Sequence, residues 1–274
     1  MLTVFLSFLL ASTPLSIVDD GESTDKLLKE DFELTLVDRM FIDNLKLDVQ
    51  MDVLNDKIYQ EPVNAKLAED GDIISEKPGI ALDRIAFQKV FREYFYHGTP
   101  TELALPEREI YPRVNSELLA QIKETTIGSY QTSFRTDNEE RTRNIELASK
   151  AINNHVVFPG ESFSFNETVG KRTKEKGYQR APVIIEGELA EDIGGGICQV
   201  SSTLYNAVDI DGVEIVERYS HSRSVPYVPP GRDATVSWHG PDFVFKNTNK
   251  QPILIRSQAK NGTMAIQILS SESP

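Results

Sequence analysis

The run Asp192-Ile193-Gly194-Gly195-Gly196-Ile197-Cys198-Gln199-Val200-Ser201-Ser202-Thr203-Leu204-Tyr205-Asn206-Ala207 carries three consecutive glycines, the only cysteine of the chain and a helical pattern. Ile197, Val200, Leu204 and Val208 recur at the spacing of one helix face, so a helix is expected from about Ile197 to Val208. Gly194, Gly195 and Gly196 remove side-chain bulk just ahead of it, which would let a ligand meet unpaired backbone N–H groups. Cys198 then falls in the first turn, where the positive end of a helix favours a thiolate. On a helical projection Cys198, Ser201, Ser202 and Tyr205 share a face about a third of a turn from the apolar stripe. The thiol therefore need not lie in the core that the stripe joins.

A cysteine nucleophile needs a base, and the base needs a group to orient it. His221 stands 23 residues beyond Cys198, and Asp233 follows 12 residues later. Cys198, His221 and Asp233 are the catalytic candidates, and Gly194, Gly195, Gly196, Gln199, Ser201 and Ser202 the ligand-binding ones. Arg223 and Arg232 join the ligand set because a guanidinium fork suits a carboxylate. Arg218 lies in the same neighbourhood, and each arginine has solvation as its alternative. A tight strand-to-helix connection with a structural His–Asp pair is the competing explanation of the whole cluster. The histidines His97, His155 and His239 border a helix end or turns, and His97 is expected only to meet helix carbonyls. No spacing of His, Asp and Glu suggests a metal site, and no cofactor is expected.

Around this centre the second half alternates helix and strand signals. Ile127 to Phe134 reads as a strand, and Glu139 to Ile152 as a helix with Ile145, Ala148 and Ile152 as its stripe. Strands are expected at Phe163–Phe165, Val213–Arg218, Ala234–Trp238, Phe243–Phe245, Ile253–Ser257 and Met264–Leu269, with a turn at Asn261-Gly262. In the first half, Phe32 to Tyr59 alternates as strands do, blurred by aspartates. Val63 to Leu67 and Ile73-Ile74 flank the turn Glu69-Asp70-Gly71-Asp72, and Glu102 to Tyr111 alternates again. Between them Ile85, Phe87, Val90, Phe91 and Phe95 predict a helix capped by Asp83 and closed at His97-Gly98. The expected fold is α+β: a small N-terminal α+β module at 31–126, then a mixed α/β domain at 127–274 with mostly antiparallel late strands.

The chain has a net charge of −13, and the acidity is concentrated early. Residues 19–125 hold 24 acidic against 13 basic side chains, and residues 126–274 hold 18 against 16. No basic stripe of the kind nucleic acid requires is present. A single cysteine excludes an internal disulfide. Leu2 to Leu10 is apolar and ends at Ala11-Ser12-Thr13-Pro14, so residues 1–18 resemble a secretory signal lacking the usual basic start. Residues 19–30 read as an acidic linker.

Several long motifs in order resemble the VanW-like domain over roughly Ile127 to Ser257. They are Phe163-Ser164-Phe165-Asn166-Glu167-Thr168-Val169-Gly170, Gly177-Tyr178, Ala181-Pro182, Gly194 to Ala207, Glu217-Arg218, His221-Ser222, Tyr227-Val228-Pro229, and Gly231-Arg232-Asp233-Ala234-Thr235-Val236. Asn64-Ala65, Pro78-Gly79, Leu82-Asp83 and Tyr111-Pro112 resemble, more weakly, the peptidoglycan-binding domain found upstream of such domains. The resemblance implies an exported cell-wall protein linked to glycopeptide resistance, located outside the cytoplasm. Its expected partner is peptidoglycan or its stem peptides, with membrane-surface association through the N-terminal segment and no nucleic acid. Val208-Asp209-Ile210-Asp211-Gly212 departs from the family pattern by placing acids where the helix usually continues. Three functions stay open: a cysteine-dependent amidase, peptidase or transpeptidase, a non-catalytic peptidoglycan-binding module, and an interaction protein of wall synthesis.

Overall fold

A computed structural model describes residues 13–19, 22–35, 38–185 and 188–271. Two compact units emerge: Met1–Asn64 with Ser75–Asn115, and Ala65–Ile74 with Ser116–Pro274.

In the first unit β1 (Leu15–Asp19) pairs antiparallel with β2 (Glu22–Leu27). The stretch that reads as an acidic linker thus carries a strand, and Leu15 and Ile17 at the end of the signal-like segment are fully buried. Residues 1–12 lie outside the described residues. After the short strands β3 (Glu33–Leu34) and β4 (Asp38–Ile42) comes α1 (Asn44–Ile58), where the sequence suggested strands. Asp43 caps it by accepting from the Leu45 and Lys46 amides. Leu47, Met51 and Leu54 point inward, but Leu45, Val49 and Val53 form a second, exposed apolar row, which erases the one-sided period.

A hairpin of β5 (Lys66–Leu67) and β6 (Ile73–Ile74) then belongs to the second unit. The chain returns with β7 (Gly79–Leu82), α2 (Arg84–His97), β8 (Glu102–Ala104) and β9 (Glu107–Ile110), so the expected single run from Glu102 is two strands split at Leu105-Pro106. Helix α2 is capped by Asp83 and closed by left-handed Gly98, as its sequence predicts. Phe87, Phe91, Tyr94 and Phe95 pack with Leu15, Ile17, Phe32, Leu47, Met51 and Leu54 in one apolar core.

The second unit adds α3 (Ser116–Ile122), β10 (Thr125–Ser133), α4 (Glu139–Ile152), β11 (His155–Val157), β12 (Ser162–Ser164), α5 (Phe165–Val169), β13 (Arg180–Ile185), β14 (Glu188–Ile193) and α6 (Ile197–Val208). It closes with β15 (Val213–Glu217), β16 (Val244–Asn247), β17 (Ile253–Lys260) and β18 (Thr263–Ser270). An antiparallel sheet in the order β10-β18-β17-β11 carries α4 and α6 on one face. Ile255, Ile266 and Ile268 line that face against Ile145, Ala148, Val200 and Leu204. A smaller sheet, β12-β16-β15, adds the stacked pair Phe163–Phe245, with centroids 5.1 Å apart. The fold is α+β with antiparallel late strands, and Asn261 and Gly262 make the β17–β18 turn with positive φ. Helices α4 and α6 span the residues the sequence assigns them.

The expected strand Ala234–Trp238 is absent. The segment has no regular secondary structure, and much of its hydrogen bonding goes to a helix. The Ala234 amide donates to Ser202 Oγ at 2.9 Å, and Ser201 Oγ donates to the Ala234 carbonyl at 2.5 Å. Helix α6 thus takes the place of a neighbouring strand.

Candidate functional site

Helix α6 begins at left-handed Gly196, and the glycines serve the protein's own packing before any ligand. A Cβ on Gly195 would lie 2.5 Å from the Ala181 carbonyl oxygen of β13. On Gly194 it would meet Ile197 Cδ1 at 2.9 Å and the Arg172 stem at 3.3 Å, and on Gly196 it would meet Arg141 Cγ at 2.9 Å. The idea of an open glycine pocket is corrected: two arginine stems and a strand fill the space. Asn144, fully buried on α4, ties the turn down by donating to the carbonyls of Gln179 (2.9 Å) and Gly195 (3.0 Å).

Cys198 sits one residue inside α6 and stays partly exposed. Its sulfur faces the Val236 carbonyl at 3.4 Å and Thr235 Oγ1 at 3.8 Å. His221 Nδ1 lies 2.6 Å from Asp233 Oδ2, and the same oxygen accepts the His221 backbone N–H at 2.6 Å. The side chains of His221 and Asp233 are only 6% and 8% exposed, so solvent screens the pair weakly. The imidazole and the Cys198 sulfur are close enough that each stabilises the charged form of the other. With Nδ1 committed to the carboxylate, Nε2 is the nitrogen left for sulfur.

The electrostatics follow from that chain of contacts. Burial pushes the Cys198 thiol up, but the hydrogen bond and charge of His221, helped by Val236 and Thr235, outweigh it and leave the thiol below its ordinary value. Burial likewise works against a charged His221, yet Cys198 and Asp233 together hold the imidazole above its usual range. Asp233 is driven up by burial and brought below the normal carboxylate range by the two His221 hydrogen bonds. The three groups act as one coupled unit.

The segment carrying His221 and Asp233 has no regular secondary structure, so side chains of α6 hold it. Ser202 Oγ donates to the Cys198 carbonyl (2.7 Å) and accepts the Ala234 amide, while Asn206 Nδ2 donates to the Arg232 carbonyl at 2.8 Å. Arg232 answers through Nε to Asn206 Oδ1 (2.7 Å) and Nη1 to Asp209 Oδ2 (2.5 Å). Arg218 Nη1 donates to the Asp233 carbonyl at 2.7 Å, and the Tyr205 ring lies between Arg218 and Arg232 at 4.7 and 4.8 Å. The acid at 209 that departs from the family pattern stands just past the helix end at Val208 and anchors the loop beside Asp233 through Arg232.

The structure thus brings Cys198, His221 and Asp233 together. It does not present Gln199, Ser201 and Ser202 to a ligand: all three are buried with their polar atoms engaged. Gln199 holds Thr132 and Ser133 of β10 and accepts Arg141 Nη2 at 2.6 Å. Arg232 is committed to Asn206 and Asp209, and Arg223 is exposed on the loop. His97 stands by Glu93, 3.8 Å away, and His155 packs on the edge of Phe163, where burial lowers its pKa.

Sequence reasoning missed Arg141, Arg172 and Tyr227. The charges of both arginines interact with that of the Cys198 thiolate, and Tyr227 is buried beside them. Burial keeps the Tyr227 phenol neutral. Arg141 had a signal, since it extends the Ile145, Ala148 and Ile152 stripe by one helical step. Arg172 lies in the α5–β13 loop, where no period exists. A groove of about 980 Å³ elsewhere in this unit, lined by Gln131, Lys150, Arg256 and Gln267, contains none of the three triad residues. Among the described residues no group of three or more His, Cys, Asp or Glu side chains is placed to hold a metal ion, and no helix is long and apolar enough to cross a membrane.

The family described as VanW like protein matches residues 140–269, which include all three triad residues. The protein YoaR of Bacillus subtilis (strain 168) is 51% identical over 258 residues, covering 94% of this chain and 85% of its own. The vancomycin B-type resistance protein VanW of Enterococcus faecalis (strain ATCC 700802 / V583) is 32% identical over 114 residues, 40% of this chain and 42% of its own. No solved structure matches. The chain belongs to the VanW-like family.

Proposed function

We propose that this protein acts outside the cytoplasm on peptidoglycan stem peptides as a cysteine-dependent amidase, peptidase or transpeptidase. The observation that carries the proposal is the His221 ring, bonded through Nδ1 to buried Asp233 and coupled electrostatically to Cys198. A structural His–Asp pair has no need of a thiol on its free nitrogen. The vancomycin-resistance name of the E. faecalis relative supports the cell wall as the setting.

In this mechanism the Cys198 thiolate attacks the carbonyl carbon of an amide, forming a C–S bond. The oxygen charge that develops is met by the Cys198 amide, which has no acceptor among the described residues, whereas the Ile197 and Gln199 amides are taken by Gly194 and Gly196. Imidazolium His221 gives its proton to the leaving nitrogen as the C–N bond breaks, and Asp233 keeps the ring oriented. Water, or a second amine, then attacks the thioester. His221 accepts the proton of that nucleophile, and Cys198 leaves as thiolate.

The apolar run Leu2–Leu10 directs export or holds the protein at the membrane surface in this proposal. A processing cut falls ahead of Leu15, because Leu15 and Ile17 belong to the first unit's core. N-terminal sequencing of the secreted form locates it.

The test is incubation of the purified protein with peptidoglycan fragments, with products read by mass spectrometry. New free amines and carboxylates, lost in Cys198→Ala by about 10⁴-fold or more, are expected. Saturable wall binding without products, retained in Cys198→Ala, would make the protein a binding module instead.

A further inference from the structure

Arg141 and Arg172 cover the glycine turn, their stems packed over Gly196 and Gly194. Arg141 Nη2 donates to Gln199 Oε1 at 2.6 Å, and Arg172 Nη2 donates to Asn166 Oδ1 at 2.7 Å. Both acceptors are neutral amide oxygens, and no ion pair reaches either arginine among the described residues. Arg172 feels the charge of Asp242, but the Asp242 oxygens are taken by Ser164 Oγ (2.5 Å) and the amides of Asn166 (2.9 Å) and Phe243 (2.7 Å). Arg172 Nη1 is enclosed and has no hydrogen-bond partner at all.

Partly buried guanidinium groups ordinarily meet a carboxylate, because the cost of removing the charge from water is otherwise left standing. Burial accordingly lowers the pKa of both arginines. The Cys198 thiolate acts on both arginines, but His221 already answers it. The unfilled role is that of a planar anion at the mouth of the site, the shape a guanidinium fork binds best. Both arginines are partly exposed, so their flexible ends can turn outward to meet one.

Resting on the cysteine-enzyme proposal above, we infer that the substrate is a peptide ending in a free carboxylate close to the attacked carbonyl, held by Arg172 with Arg141 as the second cation. Arg218, Arg223 and Arg232, the basic side chains nearest to His221 in sequence, are then not the carboxylate readers.

The test uses full-length Cys198→Ala and calorimetric titration with diacetyl-Lys-D-Ala-D-Ala and with the same peptide carrying a C-terminal amide. The free acid binds about tenfold or more tighter than the amide. Arg172→Gln in the same background erases the preference, Arg141→Gln reduces it, and Arg172→Lys keeps part of it. Thermal melts confirm that each variant folds, and Arg141→Gln serves if Arg172→Gln does not. Equal binding of acid and amide, no binding of either, or a preference untouched by Arg172→Gln overturns the inference. Wild-type turnover separates the two ideas: cleavage of acid and amide alike keeps the enzyme and removes the carboxylate site, while acid-selective binding without cleavage does the reverse.

Discussion

The two units bury different chemistry. Around α1 and α2 the core is hydrocarbon and aromatic, and the hydroxyl of buried Tyr94 donates to the Thr13 and Leu27 carbonyls. In the second unit the core is threaded with Asn144, Ser149, Gln199, Ser201, Ser202, Thr203, Asn206, Asp233 and Asn247, and every buried polar or charged residue among those described lies there. A polar group in a core costs stability unless bonded, so such a network is kept where it fixes something packing alone does not. Here it fixes an irregular strand substitute, Tyr219 to Val236, against α6. The difference separates a unit held by area alone from one that adds a bonded polar network to an apolar core of its own.

Mutations can break that comparison in order of size. Phe91→Ala in the aromatic core loses about 3–5 kcal/mol of stability by chemical denaturation, since Phe91 is fully buried among Phe32, Phe87, Tyr94 and Phe95. Ser202→Ala costs less, about 1–3 kcal/mol, because it strands the buried Ala234 amide. It also slows alkylation of Cys198, an effect that a pure packing loss such as Leu204→Ala produces only in proportion to unfolding. Asp209→Asn is the mildest, below about 1 kcal/mol, as the ion pair of Asp209 with Arg232 is over a third exposed on both sides. Equal loss of thiol reactivity in all three would erase the distinction between the two units.

Acid sharpens it further. Asp233 has a folded pKa below its ordinary value, so its contribution is present above the ordinary carboxylate range and disappears as pH falls through the folded value. Stability of the second unit therefore drops in that acidic window, and Asp233→Asn flattens the drop. His221 runs the other way: its raised pKa contributes fully below the ordinary imidazole range and fades as pH climbs through the folded value. Acid and base titrations followed by tryptophan fluorescence and circular dichroism measure both limbs.

Legibility in the sequence tracked the same division of forces. Helices α2, α4 and α6 show one apolar face and clear ends, and the structure places them where the pattern does. Helix α1 was hidden because Leu45, Val49 and Val53 repeat on its solvent side. Ala234–Trp238 looks like a strand because alternation reports a pleated, half-buried backbone and is silent about whether its partner is a strand or the hydroxyls of a helix. Cys198, His221 and Asp233 stood out by residue type and order. Arg172 did not, since its position depends on the path of a loop and on the missing Cβ of Gly194.

The central claim is that His221, oriented by Asp233, holds Cys198 as a thiolate, and the rate of iodoacetamide labelling against pH tests it most directly. Wild-type protein should label with a midpoint below that of an ordinary thiol, and His221→Ala should move the midpoint up to the ordinary range or beyond, where burial alone would leave it. A wild-type midpoint at or above the free-cysteine range, unchanged in His221→Ala, would contradict the claim.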